Sequence, residues 1–232
     1  MTTFADKIIS FYTDIDFRGT LPAGVSVMNP FRDHPDVLKT ASRFYRKYYS
    51  DNSKRHMILG INPGRFGAGA TGIPFTDTIR LEQKCGLSLP GIETYETSSV
   101  FIYEMIEQYG GPAGFYGDHY ISAVSPLGFT VTGPKGKEVN YNYYDSRELT
   151  ASLNGFIIES LRIQLEFGIF REICFCLGTG KNYRFISELN NTHHFFDKIV
   201  PLEHPRYIMQ YRLKKKQFYI DLYLEKLKIN LK

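Results

Sequence analysis

A glycine-rich segment after a short apolar run is the part of the sequence best suited to bind a ligand. Residues 56–75 read HMILGINPGRFGAGATGIPF, and five glycines lie between Gly60 and Gly72. Glycine is favoured where the backbone must approach a ligand closely, because it has no side chain to obstruct the approach. The prominent polar side chain of the segment is Asn62. This composition predicts a site in which backbone closes around a bound group and an amide takes part.

The same segment contains a pattern typical of dinucleotide-binding proteins. Gly67, Gly69 and Gly72 spell GxGxxG. That fingerprint requires its first glycine at the end of a strand and a helix that opens directly after it. Here residues 62–66 separate the predicted strand end from Gly67, and the loop continues into Ile73-Pro74-Phe75. A Gly-Lys-Ser/Thr phosphate loop is absent too, so we expect no nucleotide cofactor.

The cysteines do not predict a metal site. The chain has three of them, Cys85, Cys174 and Cys176, with no CxxC pair and no Cys/His set at zinc or iron–sulfur spacing. Cys174 and Cys176 alternate in an apolar run, which places both on one side of a strand. We therefore expect buried apolar cysteines, no metal and no cofactor.

Length and composition predict one globular α/β domain of 232 residues, with 43% hydrophobic and 22% charged residues. No apolar run approaches the roughly 20 residues of a membrane span. The first residues lack the layout of a signal peptide, which favours a cytoplasmic protein without a membrane partner. The net charge of +4 is mild, but residues 204–216 hold five Arg or Lys residues and no acid.

Strand-like and helix-like segments alternate along the chain. Strands are predicted at HMILGI (56–61), DHYISAV (118–124), REICFCL (171–177) and FDKIVPL (196–202). Helical patterns cover 97–109, 147–167, 180–190 and 212–228. This order predicts a three-layer α/β/α sandwich with a central, mainly parallel four-stranded sheet. The strands lead into INPG, VSPLG, LGTGKN and LEHPR, and ligands of such sheets bind at this carboxyl edge.

With these residues in view, a family resemblance becomes specific. GINPGRFGAGATGIPF is similar to the first motif of the single-strand-selective monofunctional uracil-DNA glycosylase family, close to G-M-N-P-G-x-F-G-x-x-x-T-G-V-P-F. The family's second motif is led by His-Pro, which here reads HPRY from His204. Asn29-Pro30 and Ser98-Ser99 also match family positions, and the likeness spans roughly residues 25–225. The resemblance implies a glycosylase domain over 25–232 after a helical extension at 1–24, a monomer, and DNA as partner.

The resemblance implies two catalytic residues. Asn62 would orient the water that attacks the cationic sugar, helped by the carbonyl of Ile61, because an amide is too weak a base to take the proton early. His204 would donate a hydrogen bond to the base oxygen as that oxygen gains negative charge. As isolated features, Asn62 is an ordinary turn residue and His204 an ordinary loop histidine.

Two further residues would shape the base pocket. Phe75 matches the residue that stacks on the base; its alternative role is core packing. Gly64 matches the position where bulk crowds the pyrimidine 5-position, so 5-substituted uracils are expected to fit.

The segment after His204 would contact DNA. Arg206, Tyr207 and Arg212 belong to a stretch in which apolar groups can fill the gap left by the base and cations can hold phosphates. Lys181 at a predicted helix start could bind a phosphate, and Ser98 opens the helix at 97–109. The alternative is an ordinary solvated helix start in each case.

The sequence departs from the family on the second strand. The family reads uracil with an asparagine in a V-x-N-x-C-P pattern, and Ala123 occupies that position here. Ser122 or Ser125 would substitute in part, and the segment KEVNYNYYD, interpreted as a loop, offers Asn140 and Asn142. These changes predict a divergent branch.

Three functions therefore compete at the level of sequence. The first is removal of uracil, or 5-substituted uracil, from DNA; the second is a glycosylase for other deaminated bases, xanthine or hypoxanthine. The third is a non-catalytic binder of damaged or single-stranded DNA, which would not need a water-positioning amide. Lys135 and Lys137 are expected in solvent rather than in Schiff-base chemistry, so base removal without strand cleavage is predicted.

Overall fold

The computed structural model describes residues 2–133 and 136–229 of the chain. The strands are β1 (Val25–Met28), β2 (Arg55–Gly60), β3 (His119–Ala123), β4 (Gly128–Thr132), β5 (Glu138–Tyr141), β6 (Ile169–Leu177) and β7 (Lys198–Leu202). The helices are α1 (Phe4–Asp14), α2 (Pro30–Asp33), α3 (Pro35–Tyr48), α4 (Ala68–Thr71), α5 (Thr78–Cys85), α6 (Thr97–Tyr109), α7 (Gly111–Asp118), α8 (Arg147–Leu165), α9 (Lys181–His193), α10 (Pro205–Tyr211) and α11 (Lys216–Ile229).

The central sheet contains the four predicted strands and is parallel throughout. Its order is β3-β2-β6-β7, with Gly60 paired to Ala123 and Cys176 paired to Pro201 near the carboxyl ends. After β3 the chain crosses to the other side of β2 and continues as β6. The switch point therefore lies at the end of β2, where a parallel sheet opens a crevice for ligands.

Helices cover both faces of this sheet, as neighbouring residues of β3 demonstrate. His119 packs its ring against Tyr109 of α6 and Phe115 of α7. The next residue, Tyr120, packs against Phe4 of α1 and donates a hydrogen bond to Gln164 of α8 at 3.2 Å. Because successive strand residues point to opposite faces, the two helix pairs lie on opposite sides of the sheet. The predicted α/β class with a four-stranded parallel sheet is confirmed.

A second, antiparallel sheet of order β1-β4-β5 was not predicted. The segment interpreted as a loop, KEVNYNYYD, contains strand β5, and Asn140 pairs with Thr130 in it. Two of the three strands are only four residues long, and β5 carries few apolar residues, so the apolar-run criterion missed them.

The helix predictions were accurate in position for 97–109 and nearly so for α8 and α9. The helix predicted at 212–228 was wrong at its start, because α11 begins only at Lys216. A separate helix that was not predicted, α10, precedes it and begins at Pro205. A short 3₁₀ turn at 213–215 then joins it to α11. Proline at the first helical position and the N-cap at His204 explain why α10 begins at Pro205.

The N-terminal helix α1 packs into the same core as the sheet: Phe4, Ala5 and Ile8 are fully buried. All three cysteines are buried and free, as predicted. Within the described residues, no helix combines the length and apolar character needed to cross a bilayer.

Candidate active site

A cavity of about 310 Å³ opens at the carboxyl edge of the central sheet. Most of its walls come from the segment after β2, the ends of β3 and β5, and the start of α10. Its lining includes these residues: Gly60, Ile61, Asn62, Pro63, Gly64, Phe75, Glu96, Ser122, Ala123, Asn140, Asn142, Tyr144, His204, Arg206, Tyr207 and Tyr211. Asn62 and His204, which lie far apart in the chain, therefore face one cavity.

The side chain of Asn62 is held by the segment that follows β5. Its Oδ1 accepts the backbone N–H of Tyr143 at 3.1 Å, and its Nδ2 lies 3.3 Å from the carbonyl oxygens of Pro63 and Tyr141. Tyr143 is itself fixed, since its buried hydroxyl donates to Asn182 at 2.8 Å. The amide orientation is thus determined by backbone, and Oδ1 keeps one lone pair for a ligand.

His204 is the N-cap of α10, and this role fixes its protonation. Its Nδ1 accepts the backbone N–H of Arg206 at 3.1 Å, which leaves the proton of the neutral ring on Nε2. Burial, with a smaller contribution from the Arg206 guanidinium, lowers the pKa of His204 to about 3. The imidazole is therefore a neutral Nε2–H donor at physiological pH.

Phe75 adopts a backbone conformation that is uncommon for a bulky residue. Its φ is +51°, in the left-handed region. Such strained conformations persist where the surrounding contacts enforce them, and they cluster at functional sites. The ring centroid lies 5.8 Å from that of His204. A Cβ on Gly60 would come within 3.0 Å of the Phe75 ring, so the glycine leaves room for the ring at the strand end.

Glu96 is a cavity residue that the sequence did not single out. It precedes α6, and Asp77 Oδ2 accepts its backbone N–H at 2.8 Å. Burial raises the pKa of Glu96 to about 7; Arg206 opposes the shift and Asp77 adds to it. One sequence signal existed: the helix predicted from residue 97 leaves Glu96 as N-cap, a position that favours Ser, Thr, Asp or Asn.

Part of the glycine-rich segment packs against other residues of the protein rather than facing the cavity. A Cβ on Gly67 would overlap the Glu96 carboxylate, and a Cβ on Gly69 would lie 2.5 Å from Met28 Cε. These two glycines allow the loop to pack on itself and its neighbours, which corrects the expectation that all of them surround a ligand. Gly64 differs, since its Cβ would find neighbours only at 3.5 Å or more.

The polar substitutes proposed for the missing β3 asparagine fall into two groups. Ser122 lines the cavity, but its hydroxyl donates to Gln164 at 2.5 Å. Ser125 lies outside the cavity lining and donates to Leu127, so the structure does not bring it to the site. Asn140 does reach the site: its Oδ1 accepts the Arg65 N–H at 3.0 Å, and its Nδ2 lies 3.5 Å from the Gly64 Cβ position.

Ala123 and Ile61, at the ends of β3 and β2, also line the cavity. Ala123 presents only its methyl group there, and the carbonyl of Ile61 accepts the Ser125 N–H at 3.1 Å. The Ile61 oxygen is thus already engaged once and retains one lone pair.

Of the residues predicted to contact DNA, some lie at the cavity and one is buried. Arg206 and Tyr207 line the cavity, and the Arg212 guanidinium carbon lies 5.4 Å from the centroid of the Tyr207 ring. Lys181 is exposed, with its Nζ 5.7 Å from the centroid of the Tyr144 ring. Ser98 is only 1% exposed, so this structure does not present it to a ligand.

The two loop lysines were predicted to lie in solvent. Lys137 is exposed, whereas Lys135 lies outside the described residues.

This arrangement can bind a flat, neutral ring against an aromatic face, donate one hydrogen bond from a neutral imidazole and orient a water from a fixed amide. The family model of the Uracil DNA glycosylase superfamily matches residues 46–228. A solved crystal structure of wild-type SMUG2 from Pedobacter heparinus shares 53% sequence identity, with a TM-score of 0.96, over 99% of this chain and 98% of that chain. No curated protein matches the chain.

Proposed function

Because the chain belongs to the uracil DNA glycosylase superfamily, in its single-strand-selective monofunctional branch, we propose that it hydrolyses the N-glycosidic bond of a flipped-out uracil in DNA. It is a monofunctional uracil-DNA glycosylase, a hydrolase of DNA repair that leaves an abasic site. The observation that carries the detailed proposal is the shared cavity of Asn62 and His204, of about 310 Å³. That volume is within the range of small-molecule sites, about 300–1,000 Å³.

The first step is entry of the base into the cavity. Removing a base from the stack costs a few kcal/mol, and stacking on an aromatic ring returns about 1–3 kcal/mol. Phe75 supplies that ring, which lines the cavity with its centroid 5.8 Å from that of His204.

The second step is departure of the base as an anion. The Nε2–H of His204 donates to the base oxygen that gains negative charge, and a pre-placed donor of this kind contributes about 3–4 kcal/mol. A neutral imidazole suits this role, because the Arg206 N–H already fixes the ring.

The third step is attack by water on the cationic sugar. The free lone pair of Asn62 Oδ1, together with the Ile61 carbonyl, orients the water without removing its proton early. The bonds from Tyr143 and to Tyr141 keep the amide from rotating, so no reorganisation is needed in the transition state.

DNA outside the cavity is held by the start of α10 and by α9. Arg206, Tyr207 and Arg212 fill and flank the gap left by the base, and Lys181 neutralises a phosphate. We assign catalysis to residues 25–232, with 1–24 as a helical extension packed on that domain, and we propose a cytoplasmic monomer.

The lesion range is broader than uracil in this proposal. The open position at Gly64 admits 5-substituted uracils, and Asn140 Nδ2 supplies an amide near it. A second candidate is preference for xanthine or hypoxanthine, favoured by Ala123, which leaves no β3 amide to select the uracil edge. Gel assays on single-lesion oligonucleotides distinguish the two, since equal or greater cutting of xanthine supports the second.

The decisive experiment is abasic-site formation on uracil-containing DNA by Asn62→Ala. We expect a rate lower by orders of magnitude with DNA affinity nearly unchanged, because the amide positions water rather than DNA. Asn190→Ala is the matched control: this amide also bonds backbone, at Phe196, but lies outside the cavity lining. A wild-type rate for Asn62→Ala contradicts the mechanism.

A further inference from the structure

Two exposed aromatic side chains lie next in the chain to residues that meet at the edge of the cavity, outside the residues assigned above. Phe66 is 52% exposed and precedes Gly67, while Tyr95 is 55% exposed and precedes Glu96. Gly67 lies so close to the Glu96 carboxylate that a Cβ would not fit between them. The two loops therefore abut at Glu96, which lines the cavity, and each loop carries one of the exposed rings.

Each ring has an arginine against it. The guanidinium carbon of Arg65 lies 5.2 Å from the Phe66 ring centroid, and that of Arg80 lies 4.8 Å from the Tyr95 ring centroid. The Arg80 side chain is only 12% exposed and already pairs with the buried Asp77 at 3.4 Å, so it supports the Tyr95 ring and its charge is compensated. Both arginines stand on fixed backbone. The Arg65 N–H donates to Asn140 at 3.0 Å, and the Arg80 N–H donates to the buried Asp77 at 2.8 Å.

Exposed aromatic rings beside cations fit one class of ligand well. Unpaired bases stack on aromatic faces whatever their identity, while a cation beside the rings, here Arg65, adds charge that attracts the phosphate backbone. In a duplex the bases are already stacked and their faces are not available. A single strand is therefore the form of DNA that gains from such a surface.

We propose that Phe66, Tyr95 and Arg65 form a rim platform that binds the unpaired nucleotides flanking the target base in single-stranded DNA. The rim platform rests on the proposed function, because its position matters through the neighbouring cavity. It lies on the loops after β2 and before α6, whereas the contacts assigned to α10 come from another part of the chain.

The chain contains no tryptophan, which permits a direct test of stacking. Phe66→Trp and Tyr95→Trp each introduce a single fluorophore on the rim platform. Titration with lesion-free oligodeoxycytidylate is expected to quench both, because the indole stacks on a base. Phe218→Trp is the matched control, since Phe218 is 60% exposed on α11 and lies outside the cavity lining, and its fluorescence should stay unchanged.

Affinity supplies the second measurement. The double variant Phe66→Ala/Tyr95→Ala is expected to bind the lesion-free single strand about tenfold or more weakly, with duplex affinity nearly unchanged. Both rings are exposed, so thermal melting should match that of wild type. Absence of quenching, or equal losses for single strand and duplex, overturns the proposal. Because the strand contains no uracil, these readouts do not depend on catalysis, and failure of the glycosylase proposal would appear separately in the Asn62→Ala assay.

Discussion

The backbone N–H of Arg206 donates to Nδ1 of His204 at 3.1 Å, and this contact couples the start of α10 to the chemistry of the cavity. A helix N-terminus has unsatisfied N–H groups, and here an imidazole nitrogen satisfies one of them. The same bond directs the remaining N–H of the ring to the opposite side. One local capping interaction thus sets the donor to which the proposed mechanism assigns base departure.

Replacing His204 should lower the rate without loss of DNA binding. We expect His204→Ala to reduce single-turnover base release by about 10²–10³-fold, the usual cost of one removed donor. His204→Gln should retain more activity, because its amide N–H can replace Nε2–H. With a pKa of about 3, His204 stays neutral from pH 8 to pH 5, so wild type should show no activity loss on the acid side from this group. An apparent pKa near 6.5 that disappears in His204→Gln contradicts this assignment.

Glu96 should control the alkaline side of the pH profile. Its pKa of about 7 means that the carboxyl is neutral below that pH and ionised above it. An ionised carboxylate beside a departing anion raises the barrier, so the wild-type rate should fall as pH rises through 7. If the neutral form alone is active, the loss at pH 8.5 is about 30-fold. Glu96→Gln, which cannot ionise, should hold its rate across this range in single-turnover assays.

The charged neighbours of Glu96 provide the control for this prediction. Arg206 lowers the Glu96 pKa, so Arg206→Gln should raise that pKa and move the alkaline fall to higher pH while keeping the fall itself. An identical alkaline fall in wild type and Glu96→Gln would assign the titration to another group.

The sequence predicted the parts of the molecule that depend on local pattern. Apolar runs closed by turn residues located all four strands of the central sheet, and their alternation with helices predicted that the strands are parallel. Asn62 and His204 were identified because they belong to recognisable motifs at strand ends. Their common cavity follows from the rule that parallel strands end at one edge.

Other parts depend on contacts that no local pattern encodes. The hydrogen bonds that hold the Asn62 side chain come from the backbone of Tyr141 and Tyr143. These residues lie beside Asn62 because β5 pairs with β4 in a sheet that was not predicted. Glu96 enters the cavity because a glycine 29 positions earlier, Gly67, leaves room for its carboxylate. The Ser125 hydroxyl bonds its own chain two residues later, which neither its type nor its position indicated.

Gly64 should determine tolerance for the pyrimidine 5-position. A Cβ there has no neighbour closer than 3.5 Å, so Gly64→Ala should fold normally while its methyl group enters the cavity. We expect a selective rise in KM for 5-substituted uracils over uracil, and a larger effect for Gly64→Tyr. Gly60→Ala is the contrasting variant, because its Cβ would press on Phe75 at 3.0 Å and should impair both substrates alike. Equal losses for both substrates in Gly64→Ala would remove Gly64 from this role.

Stability in mild acid should depend on His119, a fully buried ring whose two nitrogens have no hydrogen-bond partner among the described residues. Burial, with a contribution from His56, lowers the His119 pKa to about 3. In the unfolded chain the pKa returns to about 6.5, so between these values the unfolded state binds one more proton and the free energy of unfolding falls as pH falls. His119→Phe removes that difference and suits the aromatic surroundings. The free energy of unfolding of His119→Phe, relative to that of wild type, should be about 2 kcal/mol more favourable at pH 5 than at pH 8, as measured by urea unfolding at both pH values. An equal effect of His119→Phe at both pH values would contradict the lowered pKa.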